Sequence, residues 1–187
     1  MIQSLVNLHG RIFGALNAST EPWLTGLLAR FVFAATLFVY FFNSALTKFD
    51  AFPFSISDSA YFQILPPVVE AAGYDTTQIA FIPWGVIVLL GSYGEIILPI
   101  LLVIGLFTRL AALGMIVFVI VQSYVDIAFH HVDAATIGAW FDNLSNATIL
   151  DQRALWIFLF AYLVINGAGK VSVDYVLGLR FRQAHDL

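Results

Sequence analysis

The chain has 187 residues, 60% of them hydrophobic and only 11% charged. Soluble domains carry about a quarter charged residues, so this is a polytopic membrane protein of one domain, with room for four spans and short connections. Its formal net charge of −4 says little, because a membrane protein's charges sort by side, and nothing in the pattern points to nucleic acid. The absence of cysteine excludes disulfide exchange, a thiol nucleophile, zinc–thiolate sites and iron–sulfur ligation within the chain. Any redox function must therefore route electrons through a bound small molecule or a partner subunit.

Residues 1–17 place Ile2, Leu5, Val6, Ile12, Phe13 and Leu16 on one helical face. That spacing predicts a short amphipathic helix lying at the membrane interface rather than crossing it. No basic segment precedes an unbroken apolar block, so no cleavable signal peptide is evident. Ser19-Thr20-Glu21-Pro22 then predicts a break and a fresh helix start, with Thr20 as cap and Pro22 in the first turn. The first span is expected over residues 23–45, carrying Arg30 about two turns inside it. From Thr47 to Phe81 the chain reads as a mixed loop broken by Pro53, Pro66 and Pro67, with a short helix over Leu65 to Gly73.

The second span, residues 83–106, has a single charge, Glu95. At a rise of 1.5 Å per residue Glu95 lies about 18 Å from the Pro83 end, close to the bilayer midplane. A carboxylate there costs on the order of 2.5–3.5 kcal/mol on insertion scales, so it should face the bundle interior with a partner or take a proton. Ser92 and Tyr93 sit beside it, and Pro99 removes a backbone donor four residues on. A tight turn at Phe107-Thr108-Arg109 leads to the third span, 110–129, and the fourth is expected over 154–167, shorter than the rest. Residues 171–185 repeat the amphipathic pattern and predict a second interfacial helix.

With four spans, both termini and the turn at Arg109 share one side. That side holds Arg11, Arg30, Arg109, Lys170, Arg180 and Arg182, against Lys48 and Arg153 on the other. The positive-inside rule then puts both termini in the cytoplasm. Counting depth from the cytoplasmic ends puts Arg30 at about 10 Å and both Glu95 and Gln122 at about 18 Å, with Tyr162 and Asn166 also central. The expectation is a polar layer of Glu95, Gln122, Tyr93 and Tyr162 or Asn166, with an Arg30–Glu95 pair and Arg109 as competing partner. Such a layer has two readings of equal standing. It can pin helix register, at roughly 0.6–2 kcal/mol per polar pair. Alternatively it forms a pocket for the head of a quinone or other small ligand, with Glu95 relaying a proton.

Asp126, His130 and Asp133 stand at i, i+4 and i+7, a spacing that can bring zinc or copper ligands to one helix face. Two adjacent histidines without a third fixed ligand make a poor set, so a solvated helix end is preferred and no metal is expected. Gly167-Ala168-Gly169-Lys170 lacks the preceding strand and the Lys-Ser/Thr ending of a phosphate loop, and reads as a helix terminus.

Three motifs carry a family resemblance. Span 1 contains Arg30 and ends in the S-x-x-x-K of Ser44 to Lys48. Glu95 to Arg109 reads EIILPILLVIGLFTR, with a Gly-Leu-x-Thr-Arg turn. Asn166 to Asp174 reads NGAGKVSVD. In these the chain resembles the DoxX family of small four-span bacterial membrane proteins. The resemblance implies an all-α, antiparallel four-transmembrane-helix bundle in the bacterial inner membrane, associated with redox chemistry. A quinone-linked oxidoreductase subunit is one expectation, and a non-catalytic structural or assembly subunit the other. Partners would be the lipid bilayer and other membrane subunits or a further copy of the chain. Carried onto this sequence, the resemblance points to Arg30, Glu95, Arg109 and Asp174.

Overall fold

A computed structural model describes residues 2–178. Among them, four helices are long and apolar enough to cross a membrane: Trp23–Leu46, Phe81–Ile104, Thr108–Ala128 and Thr148–Asn166, here spans 1 to 4. Each packs on its sequence neighbours, and span 1 also closes on span 4. The result is an antiparallel ring of four, as the hydropathy pattern requires. The end where span 1 begins and span 4 stops carries Arg109 and Lys170 and is called the basic end; the opposite end is acidic.

Between the helices Phe33, Phe41, Leu102, Met115, Val119, Phe160 and Leu163 form a buried core. Phe33 meets Phe160 edge-on at 5.7 Å, and Phe41 meets Trp156 at 5.9 Å. Lipid tails are as apolar as leucine, so this packing, not hydrophobic exclusion, is what holds the spans together. Leu90, Leu110, Phe158 and Ile165 point outward, which suits acyl chains. Small residues set the closest approaches. A Cβ on Gly26 would lie 2.6 Å from the Ala168 carbonyl carbon, and one on Gly114 would lie 3.0 Å from Leu98.

Two boundaries differ from the sequence reading. The expected break before span 1 does not occur. Thr20 keeps helical backbone angles (φ −103°, ψ −38°) with no side-chain cap, and Ser19 and Thr20 donate their hydroxyls back to the Leu16 carbonyl (3.0 and 2.7 Å) instead. Helix Ile2–Thr20 therefore runs on through one widened turn, Glu21–Thr25, into span 1. None of its side chains is buried. Span 4 starts at Thr148, six residues before the expected Ala154, because Arg153 is buried rather than solvated. Residues 173–178 are helical; the rest of the segment expected over 171–185 lies outside the described residues.

The acidic end is capped by the connection from span 1 to span 2. Phe49–Ala51 and Ser55–Ile56 pair as a small antiparallel hairpin, followed by helices Asp58–Ile64 and Pro66–Ala71. Ala60 and Val69 are buried. Ile64 packs against Gly91, where a Cβ would come within 3.0 Å. The Phe49 ring stands edge-on to Tyr93 at 5.3 Å, and the Tyr93 hydroxyl donates to the Pro53 carbonyl.

Candidate functional site

Glu95 is buried, with 1% of its side chain exposed, and its partner is Lys48 rather than Arg30. The Lys48 Nζ lies 2.5 Å from Glu95 Oε2 and also donates to the Ser44 carbonyl (3.1 Å) and Ser44 Oγ (3.3 Å). The S-x-x-x-K spacing explains this. Residues four apart sit one above the other on a helix, so the lysine folds back along the last turn of span 1 and delivers its ammonium into the bundle. The sequence reading placed Lys48 in the mixed loop that follows span 1. The signal that could have found it was that i, i+4 spacing immediately after an unbroken helix.

Arg30 does a different job. Its Nη1 donates to the Val103 carbonyl (2.9 Å) and its Nη2 to the Val171 carbonyl. Val103 is eight residues beyond Glu95, about 12 Å along the helix at 1.5 Å per residue, so the expected Arg30–Glu95 pair is out of reach. Instead Arg30 satisfies carbonyls where span 2 ends and the post-span-4 segment returns. Gly105, at φ +70°, makes room for it, since a Cβ there would lie 2.7 Å from both Nη1 and the Ser172 Cβ. Asp174 completes this clip: its backbone N–H donates to the Gly105 carbonyl (2.8 Å), and its carboxylate accepts from the Phe107 and Thr108 N–H groups (2.7 and 2.9 Å). It thus caps span 3 from a distant part of the chain. Arg109 is exposed beside Gly167 and does not compete for Glu95.

The expected midplane layer is only partly assembled. Glu95 and Gln122 line one cleft of about 540 Å³ between spans 2 and 3, together with Ser44, Lys48, Gln63, Asp126 and His130 and an apolar wall that includes Ile87, Leu98 and Val121. Gln122 donates to the Tyr40 hydroxyl of span 1 (3.2 Å), while its Oε1 is buried without a partner. Tyr93 is turned to the cap at the acidic end, and Asn166 is exposed and bonds back to the Tyr162 carbonyl (3.0 Å). Equal depth on different helix faces does not bring side chains together.

The candidate metal ligands are separated as well. Asp126 forms an ion pair with Arg153 (2.7 Å), whose Nη1 also donates to Ser123 Oγ (3.0 Å). The His130 Nε2 lies 3.3 Å from the Gln63 carbonyl, and Asp133 caps its own short helix by accepting from the Thr136 N–H (2.7 Å). That bond holds the Asp133 carboxyl below its usual range. Among the described residues no group of three His, Asp or Glu side chains is placed to hold one ion.

Fold and site together define a small four-span integral membrane protein with a buried lysine–carboxylate pair on the wall of an intramembrane cleft. The DoxX profile matches residues 25–131, more than half of the chain, and the chain belongs to the DoxX family. The matched region contains Arg30, Lys48, Glu95, Arg109 and Gln122; Asp174 lies beyond it. No curated protein and no solved structure matches the chain.

Proposed function

We propose that the protein is a redox-associated subunit of the bacterial inner membrane, with its termini in the cytoplasm, and that the cleft between spans 2 and 3 receives the head of a quinone or similar lipophilic molecule. The observation that carries this reading is the placement of the Lys48–Glu95 pair on the wall of an otherwise apolar cleft. The cleft's volume falls within the roughly 300–1,000 Å³ typical of small-molecule sites, and a few polar groups in an apolar lining is their usual composition. Family membership supports a link to redox chemistry, and the absence of cysteine leaves a bound small molecule or a partner to carry electrons. Glu95 is the group that would exchange a proton with the ligand head.

A second reading, an accessory or assembly subunit, is favoured by one observation. Arg30 and Asp174 hold backbone groups rather than facing a cleft, so much of the polar chemistry builds the bundle. Native purification, with extraction of bound lipids and identification of co-purifying chains, separates the two. Retained quinone that is lost in Glu95→Gln supports the cleft. Protein that binds none in any lipid, but travels at fixed stoichiometry with a redox enzyme, selects the accessory role.

A further inference from the structure

We infer that the cleft selects hydrogen-bond donors: its ligand carries a hydroxyl on its head, and the reduced, dihydroxy form of a quinone ring binds in preference to the dione. The inference rests on the reading of the cleft as a ligand site and adds the chemistry of the head.

Hydrogen-bond supply and demand in the lining decide it. An ammonium has three donors and no acceptor, and all three of Lys48's are committed, two to Ser44 and one to Glu95 Oε2. A carboxylate offers only acceptors, about four lone-pair sites over two oxygens. Glu95 uses one oxygen. Its Oε1 accepts from no described residue, and Glu95 is among the side chains that line the cleft. Gln122 gives one amide N–H to Tyr40 and keeps the other, while its Oε1 is buried without a partner and is not open to a ligand. At the mouth, Asp126 gives one oxygen to Arg153 and keeps the other. The His130 N–H on Nε2 is directed to the Gln63 carbonyl. The donors to spare in the lining are all neutral: the Ser44 hydroxyl, which already accepts from Lys48, and one N–H each of Gln122 and Gln63. The lining groups that carry negative charge, Glu95 and Asp126, can only accept.

A dione brings two more acceptors and sets a carbonyl against a carboxylate. A dihydroxy ring brings two donors to the groups that lack them. One satisfied hydrogen bond to a charged group corresponds to about a tenfold to hundredfold gain in affinity, and that is the preference expected.

The test uses the full-length protein in phosphatidylcholine nanodiscs under anaerobic conditions. Equilibrium binding is measured for a short-chain ubiquinol, the matching ubiquinone, the dimethyl ether of the ubiquinol and an alkylphenol. The quinol and the phenol should bind at least about tenfold more tightly than the quinone and the ether, which match them in shape without a donor. If the quinone binds as tightly as the quinol, the donor rule is wrong though the cleft stands as a site. If none of the four binds, the cleft reading itself falls, and this inference with it.

Discussion

Replacing one member of the Lys48–Glu95 pair leaves the other stranded, and the structure says which loss is worse. In Lys48→Met, Glu95 loses its one protein hydrogen-bond donor; in Glu95→Leu, Lys48 keeps both Ser44 acceptors and a short path to the acidic end. The two side chains are 6% and 1% exposed, so solvent screening does little to reduce the effect. Removing one partner from a buried pair costs about 3–5 kcal/mol, so Lys48→Met should sit at the top of that range and Glu95→Leu below it. The double substitution, two apolar side chains in the same space, should recover most of the loss, because such replacements are often neutral or stabilising. With single losses of about 5 and about 3 kcal/mol and a double loss of about 1–2 kcal/mol, the coupling energy is about 6 kcal/mol, beyond the 0.5–3 kcal/mol usual for residues in contact. Reversible unfolding in mixed detergent micelles, followed by tryptophan emission, measures it. Single losses below about 1 kcal/mol that simply add would refute the reasoning, since they describe a pair already in water.

Three further outcomes follow from the same structure. Gly105→Ala must clear a Cβ that would lie 2.7 Å from Arg30 Nη1 at a positive φ, and should destabilise by about 1–3 kcal/mol; Asp174→Ala, which uncaps span 3, should cost about 0.5–2 kcal/mol. The same unfolding assay reads both, and near-neutral values would mean that the clip at the basic end carries no load. The Asp133 carboxyl is held below its ordinary range first by the Thr136 backbone hydrogen bond. Its contribution is therefore present above the unfolded value, about 3.9, and is lost as pH falls through the folded one. Helix Ala134–Ile137 should fray below about pH 4, and hydrogen exchange at Thr136 checks it; equal protection at both ends of that window would contradict the cap. Because the chain has no cysteine, Lys170→Cys and Asp75→Cys are clean topology probes. A membrane-impermeant maleimide should label Asp75→Cys in intact cells and Lys170→Cys only after lysis, and the opposite pattern would invert the orientation.

The four spans and the sorting of charge were legible because both depend on composition over long windows, where single residues average out. What failed were assignments that depended on one side chain's reach. Counting depth put Arg30 and Glu95 near one another, but the count assumes that every span begins at the same level. Span 1 has a widened turn at Ala34–Phe38, and Arg30 meets span 2 near its end at Val103. Lys48 was hidden for the converse reason. It lies beyond the apolar run, so a hydropathy reading assigns it to water, although a lysine four residues after a serine can turn its long stem back along the helix. Arg153 misled in the same way: a charge that ends a hydropathy window read as the end of the helix, but Asp126 and Ser123 bring it inside. The family motifs contain these residues without separating them, and the coordinates place Ser44 and Lys48 on the cleft and Gly105 and Asp174 in the clip.

That division bears on whether Glu95 pins helices or serves a ligand. At the basic end most polar groups are spent on architecture: Asp174 uses both carboxylate oxygens on backbone N–H groups, and Arg30 uses both terminal nitrogens on carbonyls, although Arg30 Nε and the Thr108 hydroxyl are buried without a partner. A carboxylate retained only to fix register is expected to look like that of Asp174, with both oxygens engaged by the fold, since an idle buried acceptor costs free energy. Glu95 departs from the pattern. Its Lys48 contact alone would fix span 1 against span 2, yet its second oxygen accepts from no described residue, and Glu95 lines a cleft. A bundle optimised for stability would have filled that space with a leucine and donated to that oxygen from a serine one turn away. Ser92, three residues before Glu95 and fully buried, makes no such bond. The spare acceptor is thus a cost that the fold sustains without using, and a transient donor from outside the chain is what would offset it.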